Sequence, residues 1–223
     1  MLVDVIIPAL NEAASVGVVV RGLVDPRVRR VVVVDNGSSD ATAAEAAAAG
    51  AVVVSEPRRG YGQACLTGIR HLADEPPECV AFIDADASDF PEELSALLDA
   101  ASLGYDMVIG SRVVGDAEPG ALLPQARFGN WLATRLVAAL FAHRYTDLGP
   151  FRVVRWSALE ALQMTDRDFG WTVEMQIRAA KLRLRCAEVP VRYRKRVGTS
   201  KITGTLRGTV LAGKKILWTV ARE

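Results

Sequence analysis

The chain has 223 residues, 50% of them hydrophobic and 24% charged, which is typical of one folded domain with a sizeable core. Its net charge of +1 conceals two opposed halves: residues 1–110 carry 7 basic against 17 acidic residues, and residues 111–223 carry 20 against 9. This asymmetry suggests a metal site on one half and an anionic ligand or surface on the other, or an interface at which the halves neutralise each other. The three cysteines form no CxxC pair, so we expect a reduced, cytoplasmic chain without a zinc site. No stretch is apolar enough to span a membrane.

In the first half of the chain, short β-branched apolar runs alternate with segments of helical periodicity. The predicted strands cover residues 2–8, 30–35, 51–56, 80–84 and 106–112. The predicted helices cover residues 13–23, 38–50, 62–72 and 91–101. This alternation predicts an α/β fold with a mostly parallel central sheet flanked by helices, in which ligands bind at the carboxyl ends of the strands.

The second half is predicted to mix loops, helices and shorter strands. Its elements are a loop at 113–127, helices at 128–142 and 171–182, extended segments at 146–156 and 185–194, and a basic loop at 195–204. A last helix is expected to follow this basic loop. We therefore divide the chain into a domain of residues 1–203, with halves 1–111 and 112–203, and a C-terminal helix of residues 204–223.

Three aspartates crowd the end of the fourth predicted strand, in the stretch "FIDADASDF". Asp84 and Asp86 are two residues apart, so in an extended stretch their carboxylates face the same way and can reach one cation. Mg²⁺ or Mn²⁺ suits such a site, because these ions favour oxygen ligands and commonly share them between carboxylates and substrate phosphates. The plainer alternative is a pair of solvated loop acids. Asp89 is expected to cap the helix that begins at Pro91.

The basic residues near the C-terminus indicate an anion rather than a nucleic acid. In "RVGTSK", the glycine and the small hydroxyl residues allow the backbone to approach an anion, while Arg196 and Lys201 supply positive charge. No aromatic platform or recognition motif accompanies them, so we expect no nucleic-acid partner. A dinucleotide site is also rejected, because "RRGYGQAC" holds only a fragment of the GxGxxG pattern.

Several motifs occur together in an order that resembles glycosyltransferase family 2. The first half contributes "PALNE", "VVDNGSSDAT", "GYGQA", "DAD" and "GSR", and the second half contributes "TDLGPFRVVRW" and "EVPVRYRKRVGTSK". The second-half motifs resemble the polyprenyl-phosphate branch, the dolichyl-phosphate mannose synthase-like enzymes. The resemblance spans residues 3–203 and implies a GT-A fold, a UDP- or GDP-linked sugar, Mg²⁺ or Mn²⁺, and a polyprenyl-phosphate acceptor.

The resemblance also implies roles for individual residues. Those expected to bind the nucleotide sugar are Pro8, Ala9, Asn11, Glu12, Asp35, Gly62, Asp84 and Ala85. Asp86, together with Asp84, is expected to bind the metal on the diphosphate. Those expected to bind the acceptor or its phosphate are Arg112, Arg152, Arg196, Ser200 and Lys201. Asp147 is expected near the transferred sugar.

We expect an inverting, metal-dependent glycosyltransferase, and the acceptor decides whether it needs a base. A hydroxyl acceptor requires a general base, for which Glu174 in "GWTVEMQ" and Asp147 are the candidates, whereas a phosphate acceptor is already ionised. Arg152 is counted with these two acids as catalytic. Three alternatives stay open: a family 2 transferase acting on a hydroxyl group, a nucleotidyltransferase on a similar fold, and a non-catalytic nucleotide-binding module.

The expected C-terminal helix offers a route to a membrane. In residues 205–222 the apolar side chains fall on one face, and the opposite face carries Trp218 and four basic residues, Arg207, Lys214, Lys215 and Arg222. Such a helix can lie flat on an anionic membrane, which would make the protein peripheral at the inner face. The alternative is a helix that docks its apolar stripe on the sheet domain.

Overall fold

A computed structural model describes residues 1–198, 218–220 and 222–223. Its centre is a seven-stranded sheet with the strand order β3-β2-β1-β4-β6-β5-β7. The strands are β1 (Val3–Ala9), β2 (Val28–Asp35), β3 (Val52–Ser55), β4 (Cys79–Phe82), β5 (Met107–Ala117), β6 (Arg152–Arg155) and β7 (Cys186–Tyr193). Only β6 runs antiparallel to its two neighbours, β4 and β5, so the predicted mostly parallel sheet is confirmed.

Helices cover both faces of this sheet. They are α1 (Val16–Gly22), α2 (Thr42–Ala48), α3 (Tyr61–Leu72), α4 (Leu94–Ser102), α5 (Pro124–Phe141), α6 (Trp156–Leu162) and α7 (Trp171–Lys181). Successive strand residues point to opposite faces, so Val32 and Val34 pack in one core with α3, α5, α6 and α7, whereas Val33 packs in the other core with α1 and α4. This burial on both faces explains the continuous apolar runs of the strands.

Two predictions for the second half were wrong in detail. The predicted loop 113–127 begins with strand, because β5 pairs with β7 again at Asp116 and Ala117 after an irregularity. Helix α5 then starts at Pro124, whose fixed φ suits the first turn of a helix. Helix α6 follows β6 without a break and was not predicted, although Leu159 and Leu162 bury its inner face.

The predicted C-terminal helix lies mostly outside the described residues. Its described end contains a helical turn at Trp218–Val220, with Thr219 and Val220 buried against the domain. The carboxylate of Glu223 accepts hydrogen bonds from Arg178 at 2.9 and 3.2 Å. These contacts favour docking for the last turn. Within the part of the chain that the structure describes, no helix has the length and apolar character needed to cross a bilayer.

Candidate active site

A cavity of about 410 Å³ opens at the carboxyl ends of β1, β2 and β4. We call it the first cavity. Its lining residues are Pro8, Ala9, Leu10, Glu12, Asn36, Arg59, Gly60, Tyr61, Ala64, Asp84, Ala85, Asp86, Asp168, Phe169 and Arg196. This is the edge at which ligands bind in open α/β sheets, and it brings together the polar strand ends that the sequence singled out.

Asp84 and Asp86 lie in the loop directly after β4 and both line the first cavity. The Tyr61 hydroxyl donates a hydrogen bond of 3.0 Å to Asp84 Oδ1. Burial and the negative charge of Asp86 raise the pKa of Asp84 to about 7, although the Tyr61 hydrogen bond and the charges of Arg112 and Arg196 oppose this rise. The two carboxylates therefore repel each other unless a cation lies between them.

A hard divalent cation fits this pair of oxygen donors. Among the described residues, no group of three or more His, Cys, Asp or Glu side chains forms a complete metal site. The remaining ligands would have to come from water and from the oxygens of a bound diphosphate, as is usual for Mg²⁺. The donor set thus suits a metal that arrives with its nucleotide.

Arg196 reaches into the first cavity and bridges two acids. Its guanidinium lies 2.8 Å from Glu12 Oε1 and 3.3 Å from Asp86 Oδ2. The backbone N–H of Val197 donates to the Asp86 carbonyl at 3.0 Å, which fixes the segment beside the acid pair. The predicted basic loop therefore meets the cavity at Arg196, while Ser200 and Lys201 lie outside the described residues.

The glycines at the start of α3, Gly60 and Gly62, serve backbone packing. A Cβ at Gly62 would come within 2.1 Å of the Asp166 carbonyl oxygen, and one at Gly60 within 2.1 Å of the Arg167 carbonyl oxygen. Gly62 does not line the first cavity, in contrast to its predicted contact with the nucleotide sugar. These glycines instead allow the segment of residues 166–169, which carries Asp168 and Phe169, to close one side of the cavity.

Four of the residues predicted to bind the nucleotide sugar, Pro8, Ala9, Glu12 and Ala85, line the first cavity, whereas Asn11 and Asp35 do not. The Asn11 side-chain oxygen accepts a hydrogen bond of 2.8 Å from the N–H of Ser39, and Asp35 Oδ1 accepts one of 3.2 Å from the N–H of Ser38. Both side chains brace the loops after β1 and β2.

Asn36, next to Asp35, lines the cavity instead. Its amide donates to the carbonyls of Glu56 and Arg58, and its oxygen accepts from the N–H of Gly60. Asn36 therefore ties the end of β2 to the turn before α3, and so shapes this wall of the cavity.

A second cavity, of about 850 Å³, lies between the end of β5 and helix α5. Arg112 and Asp147 line it and form a two-point ion pair, with Nε–Oδ2 and Nη2–Oδ1 distances of 2.8 Å. The charge and hydrogen bonds of Arg112 outweigh burial and lower the pKa of Asp147. The Arg112 guanidinium also lies 5.0 Å from the centroid of the Tyr193 ring. The structure thus brings Arg112, which was predicted to bind the acceptor phosphate, into direct contact with Asp147, which was predicted near the transferred sugar.

Arg152 and Glu174 line neither cavity. The Arg152 side chain is fully buried and donates hydrogen bonds to the carbonyls of Gly149, Leu148 and Thr172. Burial lowers its pKa. These contacts brace the loop beyond Asp147, so the predicted contact of Arg152 with a phosphate does not fit its position.

The Glu174 carboxylate is also fully enclosed, in contrast to its predicted role as a base. It accepts hydrogen bonds from the N–H groups of Thr165 and Asp166 and forms ion pairs of 2.9 and 3.0 Å with Arg178 and Arg222. Glu174 therefore holds the 165–166 turn against α7 and the C-terminal end of the chain.

Asp89 does not cap the turn at Pro91, where no side-chain cap is formed. Its side chain is 1% exposed, and neither carboxylate oxygen has a hydrogen-bond partner within the described part of the chain. Burial and the charge of Asp84 raise its pKa well above the ordinary value. The surroundings of Asp89 therefore favour its protonated form, and its burial without a hydrogen-bond partner disfavours the charged one.

Comparisons with known proteins agree with this architecture. Residues 4–163 match the family model described as glycosyl transferase family 2. An uncharacterized glycosyltransferase of Mycobacterium tuberculosis is 39% identical over 213 residues, which cover 94% of each chain.

Two further relatives carry more specific names. A dolichyl-phosphate hexose transferase of Haloferax volcanii is 33% identical, over 96% of this chain and 91% of its own. An undecaprenyl-phosphate mannosyltransferase of Micrococcus luteus is 30% identical, over 93% of this chain and 90% of its own.

Among solved structures, glucosyl-3-phosphoglycerate synthase of M. tuberculosis, in complex with Mn²⁺, UDP and glucosyl-3-phosphoglycerate, is similar to this chain. Its TM-score is 0.78 at 25% identity, and the match covers 99% of this chain and 79% of that one. The fold is therefore GT-A, as the sequence predicted. The chain belongs to glycosyl transferase family 2 and is a glycosyltransferase that uses a nucleotide sugar.

Proposed function

We propose that the enzyme transfers a sugar from a nucleotide-diphosphate sugar to the phosphate of a polyprenyl phosphate, with inversion and with the help of Mg²⁺ or Mn²⁺. The donor binds in the first cavity and the acceptor phosphate in the second. The UDP of the similar crystal structure makes UDP-linked sugars the first donors to test, and GDP-linked sugars the second.

One observation carries this proposal: neither of the two acids that were predicted as bases is available to take a proton from an acceptor. Asp147 holds Arg112 at two points, and Glu174 is enclosed away from both cavities. A hydroxyl acceptor needs a base to take its proton, whereas a phosphate acceptor attacks as an anion and needs none. The arginine that Asp147 positions is the group that an anionic acceptor requires, because its fork can donate two hydrogen bonds to phosphate oxygens.

The names of two relatives support the same acceptor. One is a dolichyl-phosphate and the other an undecaprenyl-phosphate sugar transferase, and each aligns with at least 93% of this chain. The polar floor of the second cavity and its aromatic rim also suit an acceptor with a charged head and an apolar tail.

The donor side supplies the stabilisation of the leaving group. A cation held by Asp84 and Asp86 would neutralise charge that develops on the diphosphate. Arg196 lies against Asp86 and can move its donors from carboxylate to phosphate oxygens. The acceptor oxygen then forms the new bond to the anomeric carbon while the bond to the nucleoside diphosphate breaks. A single displacement of this kind inverts the anomeric configuration.

A phosphorylated small molecule is the second candidate acceptor. It is favoured by the likeness to glucosyl-3-phosphoglycerate synthase, whose complexes contain phosphoglyceric acid. The phosphate of such an acceptor could pair with Arg112, but its attacking hydroxyl would still need a base. Asp147 could act as that base only after releasing Arg112. The charge of Arg112 also lowers the pKa of Asp147, which makes its carboxylate a weaker base.

The test is a screen of nucleotide sugars with Mn²⁺, with polyprenyl phosphate or 3-phosphoglycerate as acceptor. We expect release of nucleoside diphosphate that depends on the metal and on polyprenyl phosphate. Glucosylation of 3-phosphoglycerate alone would overturn the lipid acceptor. Release of pyrophosphate would identify a nucleotidyltransferase, and binding without any turnover would identify a non-catalytic module.

A further inference from the structure

One side of helix α5 exposes aromatic side chains to solvent. Phe128 and Trp131 are 62% and 53% exposed, and their ring centroids lie 5.8 Å apart. With Arg135 they follow the i, i+3, i+7 spacing of one helical face. The opposite face, with Ala133 and Val137, packs in the core, so the aromatic face has no partner within the described chain.

The charge of this region has a single sign. Residues 119–146 contain three arginines and one histidine but no aspartate or glutamate, although Asp and Glu together make up 26 of the 223 residues. Arg127 and Arg135 are exposed and flank the two rings. We call Arg127, Phe128, Trp131 and Arg135 the α5 surface.

The α5 surface is continuous with the second cavity. All four of its residues line that cavity, together with Arg112. Val113 and Val114, on the strand that leads from Arg112, are each 55% exposed. The far wall is less favourable to an anion, because it carries Asp116 and Glu118.

We propose that the α5 surface docks the enzyme on an anionic lipid bilayer, with Phe128 and Trp131 inserted at the headgroup level. Aromatic side chains favour this depth, and arginines beside them attract anionic headgroups. The inference rests on the proposed function in one respect, since the lipid acceptor would enter the second cavity from the same bilayer. It also assigns membrane contact to α5, whereas the sequence suggested the C-terminal helix.

A second copy of the chain fits this face less well than a bilayer. In a twofold interface the same patch meets itself, and the α5 surface carries two arginines and no acid, so the arginines of one copy would face those of the other. An anionic surface offers the complementary charge. Phosphate headgroups would also accept the forked hydrogen bonds that arginine donates.

Sedimentation of the full chain with vesicles tests the inference. Vesicles containing phosphatidylglycerol should bind the protein at low salt, and binding should weaken as salt screens the charges. The double variant Phe128→Ser/Trp131→Ser should weaken binding on the order of tenfold or more. Charge reversal at Arg127 and Arg135 should weaken it by at least about fivefold per site.

Matched controls come from the other face of the sheet. Val24 and Leu103 are 76% and 73% exposed beside α1 and α4, so Val24→Ser/Leu103→Ser should leave vesicle binding unchanged. Tryptophan fluorescence separates α5 from the C-terminal helix. Vesicles should shift the emission to shorter wavelength in Trp218→Phe, and this shift should be lost in Trp131→Phe.

Failure of this inference can be distinguished from failure of the proposed function. Equal vesicle binding by the wild type and the α5 variants would overturn the docking surface, even if detergent-dispersed polyprenyl phosphate is glycosylated. Vesicle binding that depends on α5, without transfer to polyprenyl phosphate, would support the surface and overturn the acceptor. Conversion of a wild-type dimer to a monomer by the aromatic variant, with no change in vesicle binding, would instead identify an interface between copies.

Discussion

Arg112 and Asp147 are joined by two parallel hydrogen bonds of 2.8 Å at the floor of the second cavity. The N–H of Arg112 donates a third hydrogen bond, of 2.9 Å, to Asp147 Oδ2. The backbone of Asp147 is anchored as well, since the Gln176 side-chain amide donates to the main-chain carbonyl of Asp147 at 2.9 Å. This arrangement orients a guanidinium whose remaining donors can serve an anionic acceptor.

Replacing Arg112 by Lys should impair the acceptor step more than donor binding. Lysine keeps the charge but loses the fork, and a charged hydrogen bond contributes about 1.5–3 kcal/mol, so acceptor KM or kcat should worsen roughly 10- to 100-fold. Steady-state kinetics with each substrate varied measures this, with exposed Arg21→Lys as the control. A change confined to nucleotide-sugar affinity would contradict the assignment.

Arg152→Lys should behave differently, although the two arginines were given the same predicted role. Arg152 donates hydrogen bonds to three buried carbonyl oxygens, and a lysine ammonium cannot reach all three in the same geometry. We expect a lower melting temperature, with any loss of kcat restored by assaying well below it. An unchanged melting temperature combined with a raised acceptor KM would instead show that Arg152 binds the acceptor.

Asp86→Asn should abolish most of the metal-supported turnover. The change removes one anionic oxygen from the pair that faces the first cavity, and the loss of one stabilising group at a transition state costs on the order of 10²-fold in rate. Turnover as a function of Mn²⁺ concentration gives the measurement, and exposed Asp74→Asn is the control. Near-normal, metal-dependent turnover would reject Asp86 as a ligand.

Gly62→Ala should destabilise the fold and open the first cavity. Its Cβ would lie 2.1 Å from a backbone oxygen, so the 166–167 segment must move, and overpacking of this kind costs about 1–3 kcal/mol. Urea unfolding measures the loss. Gly129→Ala is the control, because no atom lies within 4 Å of its added Cβ and alanine favours the helix. Equal stability of the two variants would contradict the packing role.

The predicted site residues that line a cavity owe their position to local spacing in the sequence. Asp84 and Asp86 need only the end of a strand and an i, i+2 relationship, and Arg112 needs only the end of the next strand. Arg152 and Glu174 lie away from both cavities for one shared reason: a polar residue in a motif can bind buried backbone groups rather than a ligand.

The missed residues depend on contacts between distant segments. Tyr61 lies beside Asp84 because α3 packs on β1 and β2, and β1 is the neighbour of β4 in the sheet. Phe169 reaches the first cavity because the glycines at the start of α3 admit the 166–167 backbone. No local pattern in the sequence marks Asp168 or Phe169. The glycines were a visible signal, but their partner was another backbone segment.

Asp89→Asn should change how stability depends on pH. The folded state holds the Asp89 proton well above its ordinary pKa, whereas the unfolded chain releases it near pH 4. The unfolded state therefore binds fewer protons above pH 4, and this group makes the free energy of unfolding fall as pH rises, by up to about 1.4 kcal/mol per unit. Asparagine removes that slope.

Urea unfolding between pH 5 and 8, with a chelator present, should show the Asp89→Asn variant gaining stability relative to wild type as pH rises. The comparison uses slopes, so a constant penalty for burying the amide does not affect it. Parallel curves for the two proteins would mean that Asp89 is ionised in the fold.

Arg196→Gln should have opposite effects on metal binding and on transfer. In the absence of ligands Arg196 neutralises Glu12 and Asp86, so it competes with a cation for the same carboxylates. Removing its charge should strengthen Mn²⁺ binding to the nucleotide-free enzyme, which calorimetry can measure. The same change should weaken nucleotide-sugar binding or kcat, because the guanidinium no longer reaches the diphosphate.

The neighbouring exposed Lys195→Gln removes one positive charge without touching either acid, and it should leave both quantities nearly unchanged. Weaker Mn²⁺ binding in Arg196→Gln would show that the arginine organises the acid pair for the metal instead of competing with it.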